Sequence, residues 1–183
     1  MIKAPKLFAL AVAICTATTA AFAQSEPVTV FKRGEEGYNM FRIPAVIQAA
    51  NGDILAFCEG RNGRGDTGEI DMVMKRSSDG GRTWGKIQVI WKDGKNTCGN
   101  PAPVVENKSG RIIMVATWND GRDHESDIRM LRSIDPRRVF CFYSDDNGVS
   151  WSTPVEITST TKLPEWTWYA TGPCHAIQLQ KGN

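Results

Sequence analysis

Residues 77–84 read SSDGGRTW, and residues 144–151 read SDDNGVSW. Both stretches match the pattern S-x-D-x-G-x-T/S-W, and both follow a short run of residues that favour β-strands. In each copy the aspartate can accept hydrogen bonds from the turn backbone, the glycine can take a positive φ, and the tryptophan ring can cover the hairpin. A calcium loop would need a closing glutamate, which neither copy has. The repeat therefore predicts two equivalent structural turns.

The rest of the chain from Val28 onward indicates an all-β fold. Short runs rich in Val, Ile, Phe, Tyr, Thr and Trp alternate with turn clusters such as Asn51-Gly52-Asp53, and no helical period is sustained. Strands at this spacing are typical of a sandwich, a barrel or a propeller. The predicted strands are 45–49, 54–59, 70–76, 87–91, 111–117, 138–143, 155–158 and 175–179.

The composition is that of an ordinary globular protein. The chain has 183 residues, of which 41% are hydrophobic and 23% charged. These values exclude a disordered tail, a collagen-like fibre and a coiled coil. The length corresponds to one domain or to part of a larger one.

The first 23 residues have the pattern of a secretory signal peptide. Lys3 and Lys6 precede an apolar run over residues 7–14, and small residues then lead to a predicted cut after Ala23. The apolar run is far shorter than the ~20 residues that a bilayer span requires. We therefore expect a secreted or periplasmic protein whose mature part, residues 24–183, has no membrane span. That part carries equal numbers of basic and acidic residues, so nucleic acid is not an expected partner.

Four cysteines remain after the signal peptide: Cys58, Cys98, Cys141 and Cys174. They are widely spaced and form no C-x-x-C pair, and the chain has only two histidines, so no metal site is expected. Disulfides in an oxidising compartment and single buried thiols on strands both remain open.

Further motifs carry a family resemblance. Residues 41–44 read FRIP, residues 57–61 read FCEGR, residues 100–101 read NP, and residues 171–179 read TGPCHAIQL. Together with the two S-x-D-x-G-x-T/S-W turns, which are similar to Asp boxes, this ordered set resembles the sialidase (neuraminidase) family, in particular bacterial exo-α-sialidases.

The resemblance implies a six-bladed β-propeller with its active site at one end of the central channel. A propeller blade takes about 40–50 residues, so residues 24–183 would form about three blades, the N-terminal half of the catalytic ring. A half ring leaves strand edges uncovered, and the 183-residue chain by itself is expected to aggregate or be degraded.

The implied activity is hydrolysis of terminal α-linked sialic acid from glycans, glycoproteins or gangliosides, with retention of configuration, without a cofactor, and by a monomer when full length. Arg42, in the FRIP stretch, matches a family arginine that binds the sialic acid carboxylate, and Arg61 matches a further pocket arginine. A planar guanidinium suits this role because it grips a carboxylate with two hydrogen bonds and stays charged. Asn100 matches a position bordering the pocket, where it could bind a sugar hydroxyl or the N-acyl arm; a turn-forming asparagine before Pro101 is the alternative.

Cleavage of a glycoside also needs a proton on the departing oxygen, which a carboxylic acid usually supplies. By its place in the loop after Arg61, Asp66 resembles the acid/base residue of the family. Glu69 and Asp71 are the competing carboxylates, although Asp71 falls in a predicted strand and fits a solvated or paired residue better.

The family nucleophile is a tyrosine activated by a glutamate, and its position is expected beyond Asn183 together with two further arginines. Tyr38, Tyr143 and Tyr169 do not occupy the matching motif. A propeller that binds glycans or proteins without catalysis is the alternative function, against which Arg42 and Asp66 argue.

Overall fold

The computed structural model describes residues 26–172 and 174–180, and the predicted signal peptide lies outside these ranges. Within them the chain forms two four-stranded antiparallel meanders, here called the first and the second blade. The strands of the first blade are β1 (Met40–Gln48), β2 (Ile54–Arg61), β3 (Ile70–Ser77) and β4 (Gln88–Trp91). Those of the second are β5 (Thr97–Val105), β6 (Ile112–Asn119), β7 (Arg138–Ser144) and β8 (Val155–Glu156).

Two short helices lie outside the blades. Helix α1 (Glu125–Arg129) belongs to the long connection between β6 and β7, and α2 (Thr158–Thr161) follows β8. In the described ranges, no helix combines the length and the apolar character that a membrane crossing demands.

The all-β prediction is confirmed, but the described residues form two blades where the chain length predicted about three. The two blades extend from Met40 to Glu156, because the long β6–β7 connection, residues 120–137, lengthens the second blade beyond the usual 40–50 residues. Residues 175–179 form no strand, so that prediction is wrong; they lie beside β5, where Ala176 N–H donates to Pro103 O at 3.0 Å.

Strand β5 is present although the sequence analysis assigned part of it to a turn. Asn100 takes a φ of 54° before Pro101, and a β-bulge shifts the register with β6 between Gly99 and Ala102. The bulge lets the strand continue through a proline, which a regular ladder would not accommodate.

The same device occurs in β1 of the first blade. Ile43 takes a φ of 56° before Pro44, and the register with β2 shifts between Arg42 and Ala45. A positive φ is strained for a β-branched residue. The two blades thus carry equivalent bulges at the start of their first strands, which is the end of the molecule where the candidate site lies.

The hydrophobic core lies between the blades. Side chains of β2 and β3 pack against side chains of β6 and β7, and every member of this cluster is at most 4% exposed. The cluster consists of Ala45, Ala49, Leu55, Phe57, Met72, Met74, Ile112, Met114, Ala116 and Phe142.

The second Asp box also joins the two blades. The Trp151 ring meets Phe57 of the first blade and Phe142 of the second edge-on, with centroid distances of 5.9 and 5.6 Å. Arg76 of β3 donates to the backbone oxygen of Asn147 at 2.7 Å. This turn therefore fixes blade packing in addition to closing its own hairpin.

Both Asp boxes have the predicted hydrogen bonds. Asp79 Oδ1 accepts from Thr83 N–H at 2.9 Å, and Asp146 Oδ1 accepts from Ser150 N–H at 2.9 Å. A serine two residues earlier donates to each aspartate, Ser77 at 2.8 Å and Ser144 at 2.7 Å. The prediction of two equivalent structural turns is confirmed.

These bonds predict a pH-dependent contribution of Asp146 to stability. The Ser150 hydroxyl and then the Ser150 backbone N–H lower the pKa of Asp146 to about 2, below the ~3.9 of an unfolded aspartate. A depressed pKa stabilises the fold above the unfolded value, and the contribution is lost as the pH falls from about 5 through 2. Asp146→Asn should therefore be less stable than wild type at pH 7, and the difference should shrink towards pH 2. Urea unfolding at several pH values measures it, and a difference that does not change with pH would contradict the assignment.

Candidate active site

The first blade presents three charged side chains where β1 and β2 pair. Arg42 of β1 lies opposite Glu59 of β2, and Arg61 ends β2. Because alternate residues of a strand point to the same face, Glu59 and Arg61 are neighbours on one side of the sheet.

Glu59 and Arg61 form a buried ion pair, with side chains 3% and 2% exposed. Arg61 Nε donates to Glu59 Oε2 at 2.8 Å, and Arg61 Nη2 donates to the same oxygen. The other carboxylate oxygen, Oε1, accepts from Asn100 N–H at 2.8 Å. A Cβ on Gly99 would overlap Oε1, so only glycine leaves room for this carboxylate. Glu59 thereby holds both Arg61 and the bulge of β5.

Asp66 lies on the loop between β2 and β3, within reach of both arginines. Its Oδ1 accepts from Arg61 Nη1 at 2.8 Å and from Arg42 Nη1 at 3.2 Å. Arg61 Nη1 also donates to Gly65 O at 2.7 Å, and Thr67 Oγ1 donates to Asp123 O at 2.7 Å, which ties the loop to the β6–β7 connection. The Asp66 side chain is 54% exposed and that of Arg42 47%. The structure thus brings Arg42, Arg61 and Asp66 together, with Asp66 open to solvent.

The competing carboxylates lie elsewhere. Asp71 is a buried strand residue whose Oδ2 accepts from Tyr38 OH at 2.8 Å, as expected for a paired side chain. Burial raises the pKa of Asp71, and the Tyr38 hydrogen bond lowers it in part. Burial, followed by the hydrogen bond to Asp71, raises the pKa of Tyr38 above that of a free phenol. Glu69 is exposed and does not border the cavity that Arg42, Arg61 and Asp66 line.

A third arginine, Arg137, was missed by the sequence analysis. It precedes β7, is 4% exposed, and reaches the polar side chains of β5 and β6 beside the site. Its guanidinium carbon lies 3.9 Å from the centroid of the Trp168 ring. Burial lowers the pKa of Arg137 to about 10. The surrounding sequence Asp135-Pro136-Arg137-Arg138 resembles a charged surface loop, so it contains no signal of this burial.

These groups border one cavity of about 240 Å³ at the ends of the inner strands. Larger concavities of about 490, 540 and 510 Å³ lie elsewhere on the surface of the described residues, and each is lined by at most two arginines. The residues that border the smaller cavity are Arg42, Ile43, Glu59, Arg61, Asp66, Thr97, Asn100, Glu125, Arg137, Trp168 and Ala170. Three arginines and three carboxylates border this cavity. Arg42 is the half-exposed arginine among them, and it can bind a small anionic ligand because guanidinium groups bind carboxylates with defined geometry.

The three tyrosines do not border this cavity. Tyr143 is 40% exposed and lies under the Arg111 guanidinium, 4.0 Å from its carbon. Tyr169 stacks on Trp166 with a centroid distance of 5.9 Å.

The sequence matches a known family model over most of its length. The family described as BNR repeat-like domain matches residues 12–183. Similar proteins include an exo-alpha-sialidase of Aspergillus fumigatus, 34% identical over 165 residues, and Sialidase-3 of Homo sapiens, 31% identical over 164 residues. These alignments cover 80% and 84% of this chain and 40% and 38% of the relatives. The chain therefore spans about two fifths of the length of these relatives.

Solved structures superpose on the two-blade fold of the described residues. The Hadza microbial sialidase Hz136 superposes with a TM-score of 0.67 at 28% identity, over 78% of this chain and 31% of its own. A leech intramolecular trans-sialidase superposes with a TM-score of 0.70 at 15% identity, over 87% of this chain and 41% of its own. At 15% identity the second likeness concerns the fold alone.

Proposed function

The chain belongs to the BNR repeat-like domain family, and from this premise we propose that it forms the N-terminal part of an exo-α-sialidase. The substrates are glycans, glycoproteins or gangliosides that end in an α-linked sialic acid. The observation that carries the proposal is that Arg42, Arg61 and Asp66 border one cavity. Asp66 Oδ1 lies 2.8 Å from Arg61 Nη1 and 3.2 Å from Arg42 Nη1. The named sialidase relatives support it.

Arg61 and Arg42 differ in burial and in their partners, so we assign them different roles in binding the substrate. Arg61 is buried and paired with Glu59, so its position is fixed before a ligand arrives. Arg42 is half-exposed, and within residues 26–172 and 174–180 its only side-chain hydrogen-bond partner is Asp66, which Arg61 also contacts. Exposed ion pairs of this kind are weak, and a sialic acid carboxylate can replace Asp66 as the partner of Arg42.

That exchange would free Asp66 for proton transfer. Once Arg42 binds the substrate carboxylate, the exposed carboxyl on the Gly63–Gly68 loop can turn towards the glycosidic oxygen. Asp66 then donates a proton to the leaving group and later removes one from the attacking water. The nucleophile, a tyrosine in the proposed retaining mechanism, comes from outside the residues described here.

We further propose a secreted or periplasmic location for a monomeric full-length enzyme. The basic, apolar and small-residue regions of the first 23 residues support export.

We expect the complete gene product that contains this chain to release sialic acid from a natural sialoglycan. Free sialic acid is measured directly. The matched pair of variants is Arg42→Ala, which should lose activity, and Arg64→Ala, which alters an exposed arginine of the Gly63–Gly68 loop that does not border the cavity and should retain activity. A product that binds sialoglycans and leaves them uncleaved would favour the non-catalytic propeller.

A further inference from the structure

Arg137 is a buried cation whose hydrogen-bond partners are all neutral. Nη1 donates to Asn119 Oδ1 at 2.9 Å and Nη2 to Thr117 Oγ1 at 2.9 Å, while Asn100 Oδ1 accepts from Nη2 and Tyr169 O from Nε. No ion pair of Arg137 with Asp or Glu is present in the described part of the chain. Burying a guanidinium without a directly bonded carboxylate is costly. Since this burial costs stability, we expect a function of Arg137 in its contacts.

The contact with Asn100 determines which way the amide of that residue points. A guanidinium has five N–H donors and no acceptor, so the end of the Asn100 side chain that faces Arg137 must be its oxygen. The Thr117 hydroxyl donates to the same oxygen at 2.7 Å. The Nδ2 group is therefore held on the opposite side.

The other polar atoms of Asn100 are already engaged. Its backbone N–H donates to Glu59 Oε1 at 2.8 Å, and its backbone oxygen accepts from Thr171 Oγ1 at 2.7 Å. Its φ of 54° belongs to the left-handed region, which asparagine tolerates better than most residues. Nδ2 donates to no protein atom in the described ranges, and Asn100 borders the site cavity.

We propose that Arg137 is a positioning residue that fixes the Asn100 amide, so that Nδ2 donates a hydrogen bond to an acceptor oxygen of the bound substrate. The identity of that substrate, a sialic acid glycoside, rests on the proposed function. The acceptor is an uncharged hydroxyl or N-acyl oxygen of the sugar, since Arg42 binds the carboxylate. This arrangement orients the ligand with one donor that cannot flip into an acceptor.

A double-mutant cycle in the complete gene product tests the proposal. Asn100→Ala should raise KM for a sialoside about tenfold with little change in kcat, the factor expected for one lost hydrogen bond. Arg137→Met should raise KM by a similar factor, and the double variant should be no worse than either single one. Arg138→Met, which alters the neighbouring half-exposed arginine, should leave KM unchanged.

Two conservative variants separate positioning from stability. Arg137→Lys keeps one donor for Asn100 Oδ1 and should recover KM to within about threefold of wild type. Asn100→Asp keeps an acceptor for Arg137 and offers no donor to the ligand, so it should raise KM as Asn100→Ala does without lowering the melting temperature. Multiplicative effects in the cycle, or a normal KM for Asn100→Asp, would overturn the proposal.

A measurement without turnover keeps this inference distinct from the proposed function. If the wild-type product released no sialic acid, the proposed function would fail. The side-chain ¹⁵N resonance of Asn100, assigned with Asn100→Ala, would still report on the Arg137 contact. We expect Arg137→Met to shift that resonance and Arg138→Met to leave it in place; an unchanged resonance in Arg137→Met would show that Arg137 does not hold the amide.

Discussion

Replacing Asp66 with alanine in the complete gene product is expected to lower kcat for a natural sialoside by about 10²–10⁴-fold, the usual worth of a positioned general acid. Asp66 is the exposed carboxylate that lies between Arg42 and Arg61, so in the proposed mechanism its removal leaves the leaving-group oxygen without a proton donor. Because the side chain is half-exposed, the fold should be little affected. Release of sialic acid from a sialyl-oligosaccharide, followed at saturating substrate, measures the loss.

The leaving group supplies a second test of the same role. A sialoside with a good aryl leaving group needs little proton assistance, so Asp66→Ala should lose much less activity on it than on the natural sugar. Glu69→Gln is the matched control, because Glu69 is an exposed carboxylate of the same loop that does not border the cavity. If both substrates were equally affected, Asp66 would act in binding and not in proton transfer.

Local hydrogen bonding explains which part of the fold could be predicted. The hydrogen-bond partners of Asp79 and Asp146 lie within four residues, so each turn could be predicted from a motif of eight consecutive residues. Strand β5 could not, because Gly99, Asn100 and Pro101 form a turn signal whose meaning depends on Glu59. That carboxylate, distant in sequence, occupies the space beside Gly99 and binds the Asn100 N–H.

The site residues were also predicted only in part. The meeting of Arg42, Arg61 and Asp66 followed from a family resemblance, since nothing in their spacing states that β1 and the β2–β3 loop converge. Arg137 had no such guide. Its partner Asn100 is 37 residues away and lies in the bulge of β5, so the contact depends on strand pairing that the local sequence does not state.

The buried pair at the centre of this arrangement should also dominate stability. Removing one member of a buried ion pair leaves the other charge unpaired and costs about 3–5 kcal/mol. Arg61→Met should lower the free energy of unfolding by this amount, because among the described residues the Glu59 carboxylate, 3% exposed, would keep only the Asn100 N–H as a partner. Chemical denaturation of the complete gene product measures the change.

A surface ion pair and a double variant test whether the unpaired Glu59 charge causes the stability loss of Arg61→Met. Arg111→Met breaks the contact with Asp145, whose side chain is 56% exposed, and should cost far less stability than Arg61→Met, because exposed ion pairs contribute little. Arg61→Met combined with Glu59→Gln should regain part of the loss, since the glutamine keeps an acceptor for Asn100 and removes the unpaired charge. If the double variant were less stable than Arg61→Met, the cost would lie in lost packing, and Glu59 would be held by groups other than Arg61.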